Sequence, residues 1–165
     1  GSGIMVPGTP AREGKAFLKS KIVDPDSSLI LLPETQPEGA AKMIVPYRLR
    51  ANMSFAQMVG DRLGMVGRSI VELEEAAIAR GMCVAPDQIG FMLWMTAEHP
   101  KWNPFGLNLN GYANFWLVKV SDQPGERLVM VLGFWNGVTW HVCASRFDSA
   151  NKWSAESVVS FGNPL

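Results

Sequence analysis

The chain reads as an α+β protein: a mostly antiparallel sheet of five to six strands, two N-terminal strands plus a C-terminal meander, with two or three helices packed on one face. Three observations lead there. Apolar residues alternate in short runs up to residue 50, recur at three and four residue steps over residues 54–99, and return to alternation in the last third. The composition, 47% apolar and 18% charged over 165 residues, suits a folded domain with a real core rather than a disordered chain. The dipeptide Asn136-Gly137 between two apolar runs is a strong hairpin signal, because both central positions of a type I′ turn need positive φ.

Residues 1–28 carry Pro7, Pro10, Pro25 and early glycines without a sustained period, and are expected to form an extended or partly mobile arm. Gly1 to Gly3 read as a cloning remnant, and residues 29–165 as a single domain. GTPAREGKA, inside the arm, fails as a phosphate-binding loop: five residues separate Gly8 from Gly14, and Ala16 follows Lys15 where a magnesium-holding Ser or Thr is needed. SLILLPE and KMIVPYRLR read as a hairpin or two strands of one sheet. Pro33 and Pro46 cannot donate to a ladder, so both strands are expected at edges or bulges.

From Ser54 the pattern is helical. SFAQ makes a capping box, and Phe55, Met58, Val59, Leu63, Val66, Ile70, Leu73 and Ala77 form one apolar stripe. Gly60, Gly64 and Gly67 each cost about 1 kcal/mol relative to Ala in a helix interior. A break near Gly64 to Gly67 is the favoured reading, with close approach of another backbone as the alternative. Pro86 and Asp87 open a second helix, since proline lacks an amide that would go unused there and the carboxylate meets the positive helix end. KWNPFGLNLNGYAN is then a loop of about a dozen residues, a length more often functional than connective.

The last third predicts the strands ANFWLVKVS, ERLVMVLGFW and VTWHVCASRF, with a weaker strand, SVVSFG, after them. A two-residue turn at Asn136-Gly137 would set Trp135 opposite Val138, Gly133 opposite Trp140 and Leu132 opposite His141. The indole of Trp140 would then cover the bare Gly133. One hairpin face carries Val129, Val131, Trp135, Trp140 and Val142, and the other Leu128, Met130, Leu132, Phe134, His141 and Cys143. Both faces need cover, whereas a one-sided antiparallel sheet alternates apolar with charged residues. The helices of residues 54–80 and 86–99 can cover one, which leaves the arm, a second subunit or a ligand for the other.

Fifteen basic and fifteen acidic residues cancel, so no global field favours nucleic acid or anionic lipid. Two cysteines make no disulfide framework, no apolar run approaches the ~20 residues that span a bilayer, and the first residues lack the order of a signal peptide. A cytoplasmic protein is expected, with no membrane partner and no cofactor. Metal is not expected either: Cys83, His99, His141 and Cys143 exhaust the Cys and His inventory, and their spacing matches no zinc motif.

The leading functional expectation is a non-enzymatic protein-binding or regulatory domain, a homo-oligomer or partner of another protein. It would use an aromatic-rich sheet face and the loop 100–112, with Trp102, Phe105, Trp135 and Trp153 as contacts. All six tryptophans fall between residues 94 and 153, and tryptophan is enriched at interface hot spots. The runner-up places a nucleophile at Cys83 before a helix start, His141 on an antiparallel strand and Asp148 as its orienting carboxylate. That order resembles the general plan of papain-like thiol hydrolases, although buried, inert cysteines are the plainer reading. Nucleic-acid binding through Lys42, Arg48, Arg50 and Lys101 is a third reading, against which the neutral charge argues.

Overall fold

The computed structural model describes residues 4–6, 12–23, 42–122 and 125–164. The chain runs β1 (Ile4–Val6), α1 (Arg12–Lys21), β2 (Lys42–Arg48), β3 (Met53–Ser54), α2 (Phe55–Leu63), α3 (Ile70–Ala79), α4 (Pro86–Glu98), β4 (Asn114–Asp122), β5 (Gly125–Trp135), β6 (Trp140–Arg146), β7 (Lys152–Trp153) and β8 (Val158–Pro164). Among the described residues six strands form one sheet in the order β1-β2-β8-β4-β5-β6, and β3 pairs with β7 in a small second sheet. Every neighbour in the large sheet is antiparallel except β8 and β4, which are parallel and meet only at Asn114↔Val158 and Phe115↔Val159. The α+β class and the mostly antiparallel sheet are therefore as the sequence implies. No helix among the described residues is long and apolar enough to cross a membrane.

The helices are distributed differently from the expectation. The described residues contain four, two on each side of the sheet. On the first face α2 and α3 bury Phe55, Met58, Leu63 and Leu73 against Phe115, Leu117, Met130 and Phe161. On the second, α1 and α4 bury Leu18, Ile89, Met92 and Leu93 against Trp116, Val118, Val131 and Trp140. Strand faces alternate, so a strand apolar at every position needs both layers, and this chain supplies both. Trp140 pins the second layer directly, its Nε1 donating to the Leu93 carbonyl at 3.0 Å.

The described part of the expected arm is thus structural. Val6 and Leu18 are fully buried, β1 pairs with β2 at one end of the sheet, and Val23 donates to the Val142 carbonyl of β6 at the other. Between those ends α1 crosses α4 so closely that a Cβ on Gly90 would stand 1.6 Å from the Gly14 carbonyl oxygen. Only glycine permits that crossing.

β2 pairs with β1 and β8; SLILLPE, its expected partner, and Pro33 lie outside the described residues. β2 is therefore interior where β1 flanks it, but β1 covers only Lys42–Ile44, and Pro46 lies beyond. The helix after Ser54 does break. Gly64 ends α2 with φ 70°, Gly67 follows at φ 83°, and Ser69 starts α3 by accepting from the Glu72 amide. At the first start the Ser54 hydroxyl accepts from the Gln57 amide while the Gln57 side chain accepts from the Ser54 amide.

The hairpin register differs from the expectation by two residues. Trp135 pairs with Trp140, Gly133 with Val142 and Leu132 with Cys143, leaving residues 136–139 as a four-residue loop. The cause is the Asn136 side chain, whose Oδ1 accepts from the amides of both Val138 and Thr139 at 2.9 Å. That Asx turn satisfies donors a two-residue turn would have given to the ladder. Because strand side chains repeat every second residue, a slip of two keeps every side chain on its expected face. Gly133 is covered by Trp116 of β4 rather than Trp140, with a ring carbon 3.1 Å from where a Cβ would lie; Trp140 packs edge-on against Trp135 at 5.1 Å.

Candidate binding surface at the 99–113 loop

The loop after α4 is built on its polar side chains. The His99 carbonyl accepts from the amides of Trp102 and Asn103, which turns the chain back on itself. Asn103 adopts φ 42°, and its side chain grips Leu107 twice, Nδ2 donating to the carbonyl at 2.8 Å and Oδ1 accepting from the amide at 3.1 Å. Farther on, the buried pair Asn108 and Asn114 exchange side-chain and backbone hydrogen bonds, and Asn108 Nδ2 also reaches the carbonyls of Ala113 and Glu156. These asparagines brace the loop from within. A sequence alone cannot separate such braces from exposed ligand-binding amides, since both look like an Asn-rich loop.

Trp102 stands outward on this frame, 66% exposed, with the His99 ring edge-on at 5.9 Å. The other three expected contacts lie elsewhere. Phe105 is buried in the second core, Trp135 is half-buried against Trp140, and Trp153 is half-buried on the opposite face, edge-on to Phe115 at 5.1 Å. The four therefore do not share one surface. Two contributors were missed: Trp94, 42% exposed on α4, and Ile4, 37% exposed on β1. Trp94 contacts Phe91, which in turn contacts Phe105, each pair with ring centroids 6.3 Å apart. Phe105 and Pro104 then line a groove of about 240 Å³ against Ile4, Ile44 and Pro46. An apolar path thus runs from the outer side of α4 through the loop to β1. The helical period could have placed Trp94 outward, because Ile89, Met92 and Leu93 already claim the buried stripe.

The residues of the hydrolase reading are not brought together. Residues 82–84 lie in the fork where β8 and β4 diverge: the Val84 amide donates to the Leu117 carbonyl of β4 at 2.8 Å, and the Gly162 amide of β8 to the Met82 carbonyl at 2.9 Å. His141 is on β6, three strand spacings from that segment, on the order of 14 Å. It is exposed, with Nε2 3.0 Å from the Asn136 amide nitrogen. Asp148 lies past the opposite end of β6, paired with Arg146 at 3.2 Å. At roughly 3.3 Å per residue along a strand, it is on the order of 20 Å from His141, beyond any hydrogen bond.

Cationic residues divide similarly. Lys42 turns inward and donates to the carbonyls of Gly81 and Cys83. Burial lowers its pKa below the usual lysine value; Cys83 opposes that shift and Lys119 adds to it. Arg50 pairs with Asp61, which also accepts from Tyr47. Among the described residues no three His, Cys, Asp or Glu side chains converge to hold a metal ion. No family model, curated protein or solved structure matches the chain.

Proposed function

We propose that the protein is a non-enzymatic binding domain that self-associates through the surface around Trp102, with the outer side of α4 and the groove between Phe105 and Ile4 as its continuation. The observation that carries this reading is the exposure of Trp102 on a loop already locked by Asn103 and Asn108. A large aromatic held in position loses little freedom on binding, which is the property that makes tryptophan an interface anchor. A net charge of zero supports a second copy as partner, because two such chains meet without mutual repulsion. The sheet faces take no part in this interface, since each is covered by the chain's own helices.

The distances separating Cys83, His141 and Asp148 leave the thiol-hydrolase reading without a proton path. Sedimentation equilibrium or light scattering across the micromolar range tests the proposal. The wild-type chain is expected to move toward twice the monomer mass as concentration rises. Trp102→Ala is expected to weaken the dimer by roughly 2 kcal/mol or more, as loss of a hot-spot aromatic does, while melting at the wild-type temperature. A wild-type chain that stays monomeric at high micromolar concentration removes the reading.

A further inference from the structure

Two Asn-Gly pairs occur in the chain, Asn110-Gly111 and Asn136-Gly137. An asparagine before glycine is open to attack on its own side chain, because the missing Cβ lets the next backbone nitrogen approach the carboxamide carbon. Both pairs are exposed, and both glycines have positive φ, 90° at Gly111 and 95° at Gly137. Their surroundings differ. At Asn110 the side-chain oxygen accepts one amide, from Tyr112 at 3.2 Å, and no other hydrogen bond reaches that carboxamide among the described residues.

At Asn136 the carboxamide is held at both ends. Its Oδ1 accepts from the amides of Val138 and Thr139, each at 2.9 Å, while Nδ2 donates to His141 Nε2 at 3.0 Å. The bond to Val138 folds the carboxamide over the Gly137 peptide, which lies between the two residues. Two amides aimed at one oxygen stabilise negative charge on it, as an oxyanion hole does. The imidazole nitrogen sits on the nitrogen that has to leave. An Asx turn accounts for the two amides but not for the ring, since His141 is exposed and water can serve it. The observed register brings the ring there by setting His141 opposite Phe134, nearer to Asn136 than a place opposite Leu132 would be.

We propose that Asn136 is a self-modification site, where the loop promotes loss of its own side-chain ammonia to give a succinimide and then aspartate or isoaspartate. The Gly137 nitrogen gives its proton to solvent and its electron pair to Asn136 Cγ, and the carbonyl π pair moves onto Oδ1 beneath the two amides. When that pair returns, the Cγ–Nδ2 bond breaks. Nδ2 leaves as ammonia with a proton from the His141 imidazolium, and solvent returns a proton to the ring. Water then opens the succinimide at either carbonyl. Aspartate keeps the acceptor for Val138 and Thr139 and sets a carboxylate beside His141, whereas isoaspartate adds a methylene to the backbone of the 136–139 loop.

Peptide mapping by mass spectrometry of the folded chain, kept in neutral buffer, follows both sites in one sample, and a synthetic peptide of residues 133–147 supplies the unfolded rate. Asn136 is expected to react about tenfold faster than Asn110 and than the peptide, well below what a desolvated enzyme site supplies. His141→Gln offers a hydrogen bond but no acidic proton, and is expected to bring Asn136 down to the Asn110 rate. Asn110 itself should keep its wild-type rate in that variant, which checks that the fold is intact. An Asn136 rate no higher than that of the peptide or of Asn110 overturns the proposal, as does an undiminished Asn136 rate in His141→Gln.

Discussion

Ser160 is 1% exposed, and its hydroxyl finds no hydrogen-bond partner among the described residues. It stands opposite Pro46, which has no backbone N–H to offer a neighbour. An unpaired buried hydroxyl costs more than the methyl group that could replace it. Ser160→Ala is accordingly expected to raise stability by about 1 kcal/mol, seen as a higher melting temperature; a drop of that size would reveal a partner for the hydroxyl. At this scale the sequence was legible wherever the physics is local. The Ser54 and Gln57 capping box needs only three residues' spacing, and Pro86 at a helix start needs only its own ring. Asn136 was misread for the converse reason. Its backbone preference pointed to a two-residue turn, but its side-chain oxygen had two nearby amides to choose from, and that competition decided the loop. The pairing of Cys83 with His141 failed differently, since nothing local indicates how many strands separate two residues far apart in sequence.

Among the elements, the crossing of α1 over α4 is the most demanding contact. Gly90→Ala places a methyl group inside the Gly14 carbonyl, and no rotamer can relieve a backbone clash. The expected cost is on the order of 3 kcal/mol, the upper end for overpacking, together with faster proteolysis within residues 12–23 as α1 is levered off. Wild-type protection of that segment in the variant would contradict the crossing. At the start of α3, Glu72 accepts from the Ser69 hydroxyl and from Arg68, and the Ser69 hydroxyl leads in holding its carboxyl below the usual range. A carboxyl whose folded pKa is lowered stabilises the fold at neutral pH and loses that contribution as pH falls through the carboxylate range. Ser69→Ala is expected to cost about 1 kcal/mol through the lost cap, and to flatten the acid side of the stability profile. An unchanged acid limb would assign it to other carboxylates. The break between α2 and α3 was readable because three glycines in eight residues burden one continuous helix. The fold of residues 12–21 into a helix was not, for its signals are short and its tight packing is permitted by Gly90, far along the chain.

For the whole molecule, the hardest feature to read was the place of β8. SVVSFG carries the weakest strand signal of the last third, yet it lies at the sheet's centre, buried on both faces. Propensity measures a segment's own preference, whereas a central position is conferred by neighbours on either side. In the sheet of the described residues β8 alone lies between β2 and the meander, so deleting residues 157–165 is expected to abolish cooperative melting, with near-ultraviolet circular dichroism lost along with it. A truncated chain that still melted in one sharp transition would show that the two parts meet by another route. The arrangement also bears on biosynthesis. A ribosome delivers the flanking strands first and their keystone last, so the nascent chain holds two incomplete half-sheets with raw edges until residue 164 emerges. Vectorial folding cannot close such a sheet before β8 is made, which makes the interval before residue 164 emerges the stage at which chaperones matter most.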